Sequence, residues 1–178
     1  MDGKRTRFEA LVLPHLDAAY RFAVSLTRSR ADAEDLVQEA SLRAYRGIEK
    51  LRAADARAWL LAIVRNCYFT ARAQEKKRTS IEVSDDGNHE AADAPIEPAA
   101  NPECASVTED ESRAVGRSLA RLSMEHREVL VLREIEDLSY REIADVTGLP
   151  IGTVMSRLAR ARTALREQWL ADHGEPHL

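Results

Sequence analysis

Apolar residues recur every three or four positions along most of the chain, the period of a helix with one buried face. Phe8, Leu11, Val12, Leu16, Ala19, Tyr20, Ala23 and Leu26 form the first such run, with Pro14 expected to start or kink a helix inside it. A second helix is predicted over Ala31–Arg46, with Asp32 as its cap, and a third over about Asp55–Lys77. The pattern then lapses and resumes over Thr108–Arg121, over Ser123–Glu136 and in a final helix pair. Ser139 and Glu142 have the spacing of a capping box, Gly148 suits a left-handed helix end, and Pro150 suits the first turn of the helix that follows. Two short helices around a glycine-containing turn predict a helix-turn-helix.

Turning the last helix by about 100° per residue separates its faces. Val154, Leu158, Ala161 and Leu165 point to a core, while Ser156, Ala159, Arg160 and Thr163 lie opposite with Thr153 and Met155 on the flanks. Small side chains beside an arginine suit a surface that enters a major groove about 12 Å wide. Arg157, Arg162 and Arg166 lie off that axis, where they reach phosphates rather than bases. The alternative is a solvated helix that happens to carry arginines. The cap, the turn glycine and the proline start together favour DNA reading.

The third helix turns Leu60, Ile63, Val64 and Cys67 inward and leaves a stripe of Arg65, Phe69, Arg72 and Lys76, with Asn66 beside it. Aromatic and basic residues interleaved in this way suit unstacked bases and their phosphates. Equally open is a reading in which Phe69 and Trp59 complete the core and the cations are merely solvated. On the second helix Leu36, Val37, Ala40 and Ala44 face inward, and Asp35, Gln38, Leu42 and Tyr45 face outward. An aliphatic and an aromatic residue on a polar face suggest a protein-binding patch, unless the first helix covers them. Asp32, Glu34, Asp35 and Glu39 have no histidine at ligand spacing, so no metal site and no cofactor is expected.

Charge changes the picture in one respect. The 178 residues carry a net charge of −4, which by itself argues against nucleic acid. Yet no Lys or Arg occurs between Arg78 and Arg113, a stretch that holds ten acidic residues, from Glu82 to Glu111, together with Pro95, Pro98 and Pro102. Such a segment buries too little surface to offset its ordering entropy, so a flexible acidic linker is expected over 79–106. It masks the basic character of its flanks. Aromatic content is 5%, no strands are expected, and the fold class is all-α: two small helical domains, 5–78 and 107–172, joined by the linker. Cys67 and Cys104 do not form a Cys-x-x-Cys motif, no apolar segment is long enough for a membrane, and a cytoplasmic protein is expected.

Three stretches carry a family resemblance. "DAEDLVQEASLRAYR", "RAWLLAIVRNCYFTARAQEKKR" and "HREVLVLREIEDLSYREIADVTGLPIGTVMSRLARAR" resemble, in order and spacing, regions 2 and 4 of the extracytoplasmic-function (ECF) sigma factors, the small two-domain group of the bacterial sigma-70 family. The resemblance implies a protein without catalytic activity that binds core RNA polymerase and promoter DNA. It implies polymerase docking through Asp35, Gln38, Glu39, Leu42 and Tyr45. It implies −10 element contact through Trp59, Arg65, Asn66, Phe69, Arg72 and Lys76, with Asn66 near an extruded base. The −35 element would be read through Thr153, Met155, Ser156, Arg157, Ala159, Arg160 and Arg162, and an anti-sigma factor would be the regulating partner. Met155 stands where many members carry Lys or Arg, "GIEKL" lacks the usual aromatics, and no additional C-terminal domain is expected. A helix-turn-helix regulator working without polymerase is the alternative, and it leaves the surfaces of the first lobe without a purpose. An enzyme built on the acids near Glu34 lacks a nucleophile–base pair.

Overall fold

The computed structural model describes residues 2–52, 55–82 and 109–173. All regular structure among them is helical, in the order α1 (Asp2–Leu11), a 3-10 turn (Leu13–His15), α2 (Leu16–Thr27), α3 (Arg30–Gly47), a 3-10 turn (Ile48–Lys50), α4 (Ala56–Glu82), α5 (Glu109–Arg121), α6 (Met124–Leu130), a π-helical turn (Val131–Ile135), α7 (Tyr140–Thr147) and α8 (Ile151–His173). Pro14 breaks the first apolar run into two helices, as a residue without an N–H does. The cap of α3 is Ser29 rather than Asp32. Its backbone is extended and its hydroxyl accepts from the Asp32 N–H, leaving Asp32 in the first turn, where a negative charge meets the positive helix end. Helix α4 continues past Lys77 to Glu82, so the first four residues of the expected linker are helical. Residues 83–106, with Cys104 among them, lie outside the described residues.

The first lobe is a three-helix core. Phe22 and Leu26 of α2, Leu36 of α3 and Leu60, Leu61 and Val64 of α4 are buried, and Ala33, Ala40 and Ala44 let α3 lie close to its neighbours. Each fully buried Leu or Phe contributes about 1.5–3 kcal/mol relative to exposure. The second lobe closes over Val129, Leu130, Leu132, Leu138, Ile143, Val146, Val154, Leu158 and Ala161. The two lobes are not separate bodies in this structure. α4 packs on α7, α2 packs on α6, and the buried residues of both halves form one continuous cluster.

Candidate nucleic-acid and protein interfaces

The helix-turn-helix is held by its own ends. The Ser139 hydroxyl accepts from the Glu142 N–H at 3.2 Å, and the Glu142 carboxylate accepts from the Ser139 N–H at 2.8 Å. A third bond runs from the Ser139 hydroxyl to the same carboxylate at 2.7 Å. These bonds, the hydroxyl first, hold the Glu142 carboxyl below its ordinary range. Gly148 adopts φ +70° and its N–H donates to Ala144 O at 2.8 Å, closing α7. Arg133 donates to Leu138 O at 2.8 Å while stacking over Tyr140, which fixes the chain entering α7.

On α8, Ser156, Ala159 and Arg160 form an exposed face, with Met155 52% exposed and Thr153 half-buried beside them. Arg160 folds back toward Ser156, its Nε donating to Ser156 O at 3.3 Å. The Ser156 and Thr163 hydroxyls donate to carbonyls on their own helix, so this face holds its polar groups without a partner from another element. Two of the off-axis arginines already hold acidic partners on other elements. Arg157 meets Glu125 of α6 at 3.1 Å, and Arg162 grips Glu134 of the π-turn at 2.7 Å. That hydrogen bond raises the Arg162 guanidinium pKa further. Arg166 is exposed.

On α4 the expected stripe divides. Asn66, Arg72 and Lys76 are exposed, and Arg72 donates to the Tyr68 hydroxyl at 2.9 Å. Trp59 is half-buried against Gly47, where an added Cβ would sit 3.5 Å from the indole. Arg65 stacks over Phe69 at 4.5 Å and turns toward the second lobe, where Nε donates to Glu128 at 2.5 Å. Its side chain is only 18% exposed. The other residues that meet between the lobes, Glu128, Glu136 and Arg127 of the second and Arg21 of the first, carry no sequence signal of their own.

On α3, Asp35, Gln38 and Leu42 are exposed, and Glu39 accepts from Arg43 at 2.6 Å. Tyr45 is partly covered by α1, with Phe8 edge-on to its ring at 5.5 Å and Lys4 at 5.4 Å above it. Asp35 and Glu39 also border a groove of about 990 Å3 lined by the end of α2, by α3, by Tyr68 and Arg72 of α4 and by the α5–α6 turn. Cys67 lies in its wall, and burial pushes its thiol pKa up. Among the described residues no cluster of His, Cys, Asp and Glu could hold a metal ion, and no helix is long and apolar enough to cross a membrane.

A helical protein with a capped helix-turn-helix at one end and a basic-aromatic helix in its other lobe belongs to the nucleic-acid-binding class by fold and surface. Sigma-70 region 2 matches residues 11–78 and Sigma-70, region 4 matches residues 112–165. The chain is 34% identical over 171 residues to the ECF RNA polymerase sigma-E factor of Escherichia coli K12, covering 92% of this chain and 86% of that one. It is 32% identical over 166 residues to the ECF RNA polymerase sigma factor SigE of Mycolicibacterium smegmatis, covering 93% of this chain and 62% of that one. Among solved structures it is similar to the sigma factor RpoE in complex with the anti-sigma factor NepR from Bartonella quintana, with TM-score 0.71 and 29% identity over 93% of this chain and 98% of that one. It is also similar to CnrH in complex with the cytosolic domain of CnrY, with TM-score 0.63 and 26% identity over 97% of this chain and 92% of that one. The chain belongs to the sigma-70 family, as an extracytoplasmic-function member.

Proposed function

We propose that the chain is a promoter-specificity subunit: it binds core RNA polymerase and directs transcription initiation, with no catalytic step of its own. The observation that carries this reading is the presence of both surfaces on one chain. Region 4 offers the exposed Ser156–Ala159–Arg160 face on a capped helix-turn-helix, and region 2 offers Asp35, Gln38, Glu39 and Leu42 on α3 and the basic-aromatic residues of α4. In this reading α8 reads the −35 element, with Thr153 and Met155 flanking, and Arg157 and Arg162 reach phosphates when they leave Glu125 and Glu134. The α4 residues Trp59, Arg65, Asn66, Phe69, Arg72 and Lys76 engage the −10 element, and α3 with Leu42 and Tyr45 docks on polymerase. Two domains, expected over 5–78 and 107–172, carry these roles, the first extended by α4 to Glu82 and the linker following it. Regulation by an anti-sigma factor is part of the proposal, supported by the similarity to RpoE bound to one.

Run-off transcription with purified core polymerase and a promoter library tests it. Initiating complexes on a defined class of promoters are expected. A protein that binds promoter DNA yet never initiates with polymerase would instead be a helix-turn-helix regulator.

A further inference from the structure

Helix α8, which reads the −35 element in the function proposed above and on which reading this inference rests, carries two large apolar side chains in water. Ile151 is 47% and Met155 52% exposed, one turn apart. Side chains four positions apart lie one above the other on a helix, so Ile151, Met155 and the exposed Ala159 make a single row. Gly152, Ser156 and Arg160 make the row beside it. The core is met by the other side of α8, through the buried Val154, Leu158 and Ala161. In the polar row Ser156 and Arg160 are joined, with Arg160 Nε donating to Ser156 O at 3.3 Å. At Gly152 an added Cβ would have nothing within 4 Å among the described residues, so the first turn of α8 is clear for a base edge to approach.

Apolar residues scattered singly over a surface call for no explanation, but two in one row beside a base-reading face do. The major groove presents hydrogen-bond donors and acceptors and one apolar group, the C5-methyl of thymine. Isoleucine has no polar atom to offer a base, and the thioether of methionine is a weak acceptor that donates nothing. Cytosine in place of thymine would set its amino group against side chains that leave it without a good acceptor, at the cost of a desolvated donor. The row therefore attracts one pyrimidine and penalises the other, the two halves of a specific contact. We infer that Ile151 and Met155 are specificity-determining residues that read thymine in the −35 element by its methyl group, while Ser156 and Arg160 take the hydrogen-bonding edges beside it. The two side chains leave the helix about 6 Å apart along its axis, less than two base-pair steps of about 3.4 Å, so the thymines they read lie within two pairs of each other.

The experiment uses holoenzyme assembled from the full chain and core polymerase, on a promoter taken from the run-off library. Deoxyuridine replaces thymidine at each −35 position in turn, on either strand, which removes the methyl group and keeps the hydrogen-bonding edge. Wild-type holoenzyme should bind about fourfold more weakly for each methyl read, the scale of one apolar carbon taken out of water. Met155→Ala should bind the thymidine and deoxyuridine promoters equally at one such position, and Ile151→Ala should do so at that position or within two pairs of it. Both side chains are exposed, so both variants should melt with the wild type, and the deoxyuridine scan of the wild type needs no variant. A penalty that either variant removes supports the inference. No penalty at any thymine overturns it, as does a penalty undiminished in both variants or a −35 class without an A·T pair. Variants that lose polymerase binding and keep the penalty give the row to a protein partner and overturn it too. Failure of the underlying −35 reading is a separate result: Arg160→Ala would then leave −35 preference unchanged.

Discussion

Arg65 of α4 and Glu128 of α6, 63 residues apart in sequence, meet at 2.5 Å in the contact between the two lobes. Burial raises the Glu128 carboxyl pKa, and it does so against the lowering pull of the hydrogen bond and charge of Arg65 and of nearby Arg157, with Glu125 adding a smaller push upward. A carboxyl that holds its proton more tightly in the folded chain contributes stability below its ordinary value of 4.5, and loses it as pH rises through the raised value. Acidification from neutrality toward 4.5 should therefore raise the thermal stability of the wild type relative to Glu128→Gln. Glu128→Gln, uncharged at every pH, should lack this dependence.

Arg160 lies on the exposed face of α8 and, among the described residues, bonds to Ser156 one turn earlier. Arg160→Ala should weaken use of matched −35 elements by about 1–3 kcal/mol, the scale of one good side-chain-to-base contact. Core polymerase affinity should hold. Run-off yields across a −35 library, compared with polymerase binding by the same variant, check it, and equal loss of both would sink the assignment of this face.

Leu42 is 51% exposed on α3. Leu42→Glu should leave thermal unfolding within about 0.5 kcal/mol of wild type, as surface changes usually do. Polymerase binding should fall first and DNA binding by region 4 should persist. A variant that still binds polymerase with full affinity would place the docking face elsewhere.

Ser139 closes the box that starts α7, and Gly148 ends that helix at φ +70°. Ser139→Ala should cost about 1 kcal/mol by loss of the cap. Gly148→Ala should cost about 1–2 kcal/mol, because a Cβ is strained in the left-handed region although the space around it is open. Chemical denaturation of the full chain measures both. Each variant should also weaken DNA reading, since these residues set the angle at which α8 is presented.

Local features were legible because they depend on neighbours a few residues apart. The capping box, the left-handed glycine, the break at Pro14 and the core face of α8 at Val154, Leu158 and Ala161 all appear where spacing alone would put them. Asp32 shows the limit of that reading: Ser29, just outside the periodic run, offered an extended backbone and became the cap. The helix of the first lobe that reads as basic and aromatic also misled in part, since a helical wheel assigns Arg65 to a face without knowing what packs on it.

The chain's own pattern thus determined an all-helical protein with two amphipathic lobes, a helix-turn-helix and an exposed side of α8 opposite its core face, because helix period, capping and turn chemistry are local properties of the sequence. Only the tertiary structure decided that Glu128 and Glu136 become buried partners of Arg65 and Arg21. It also decided that Arg157 and Arg162 turn to Glu125 and Glu134. Each of these pairings joins residues 28 or more positions apart, and a charge's partner at that separation is set by how whole helices pack, which no local spacing encodes.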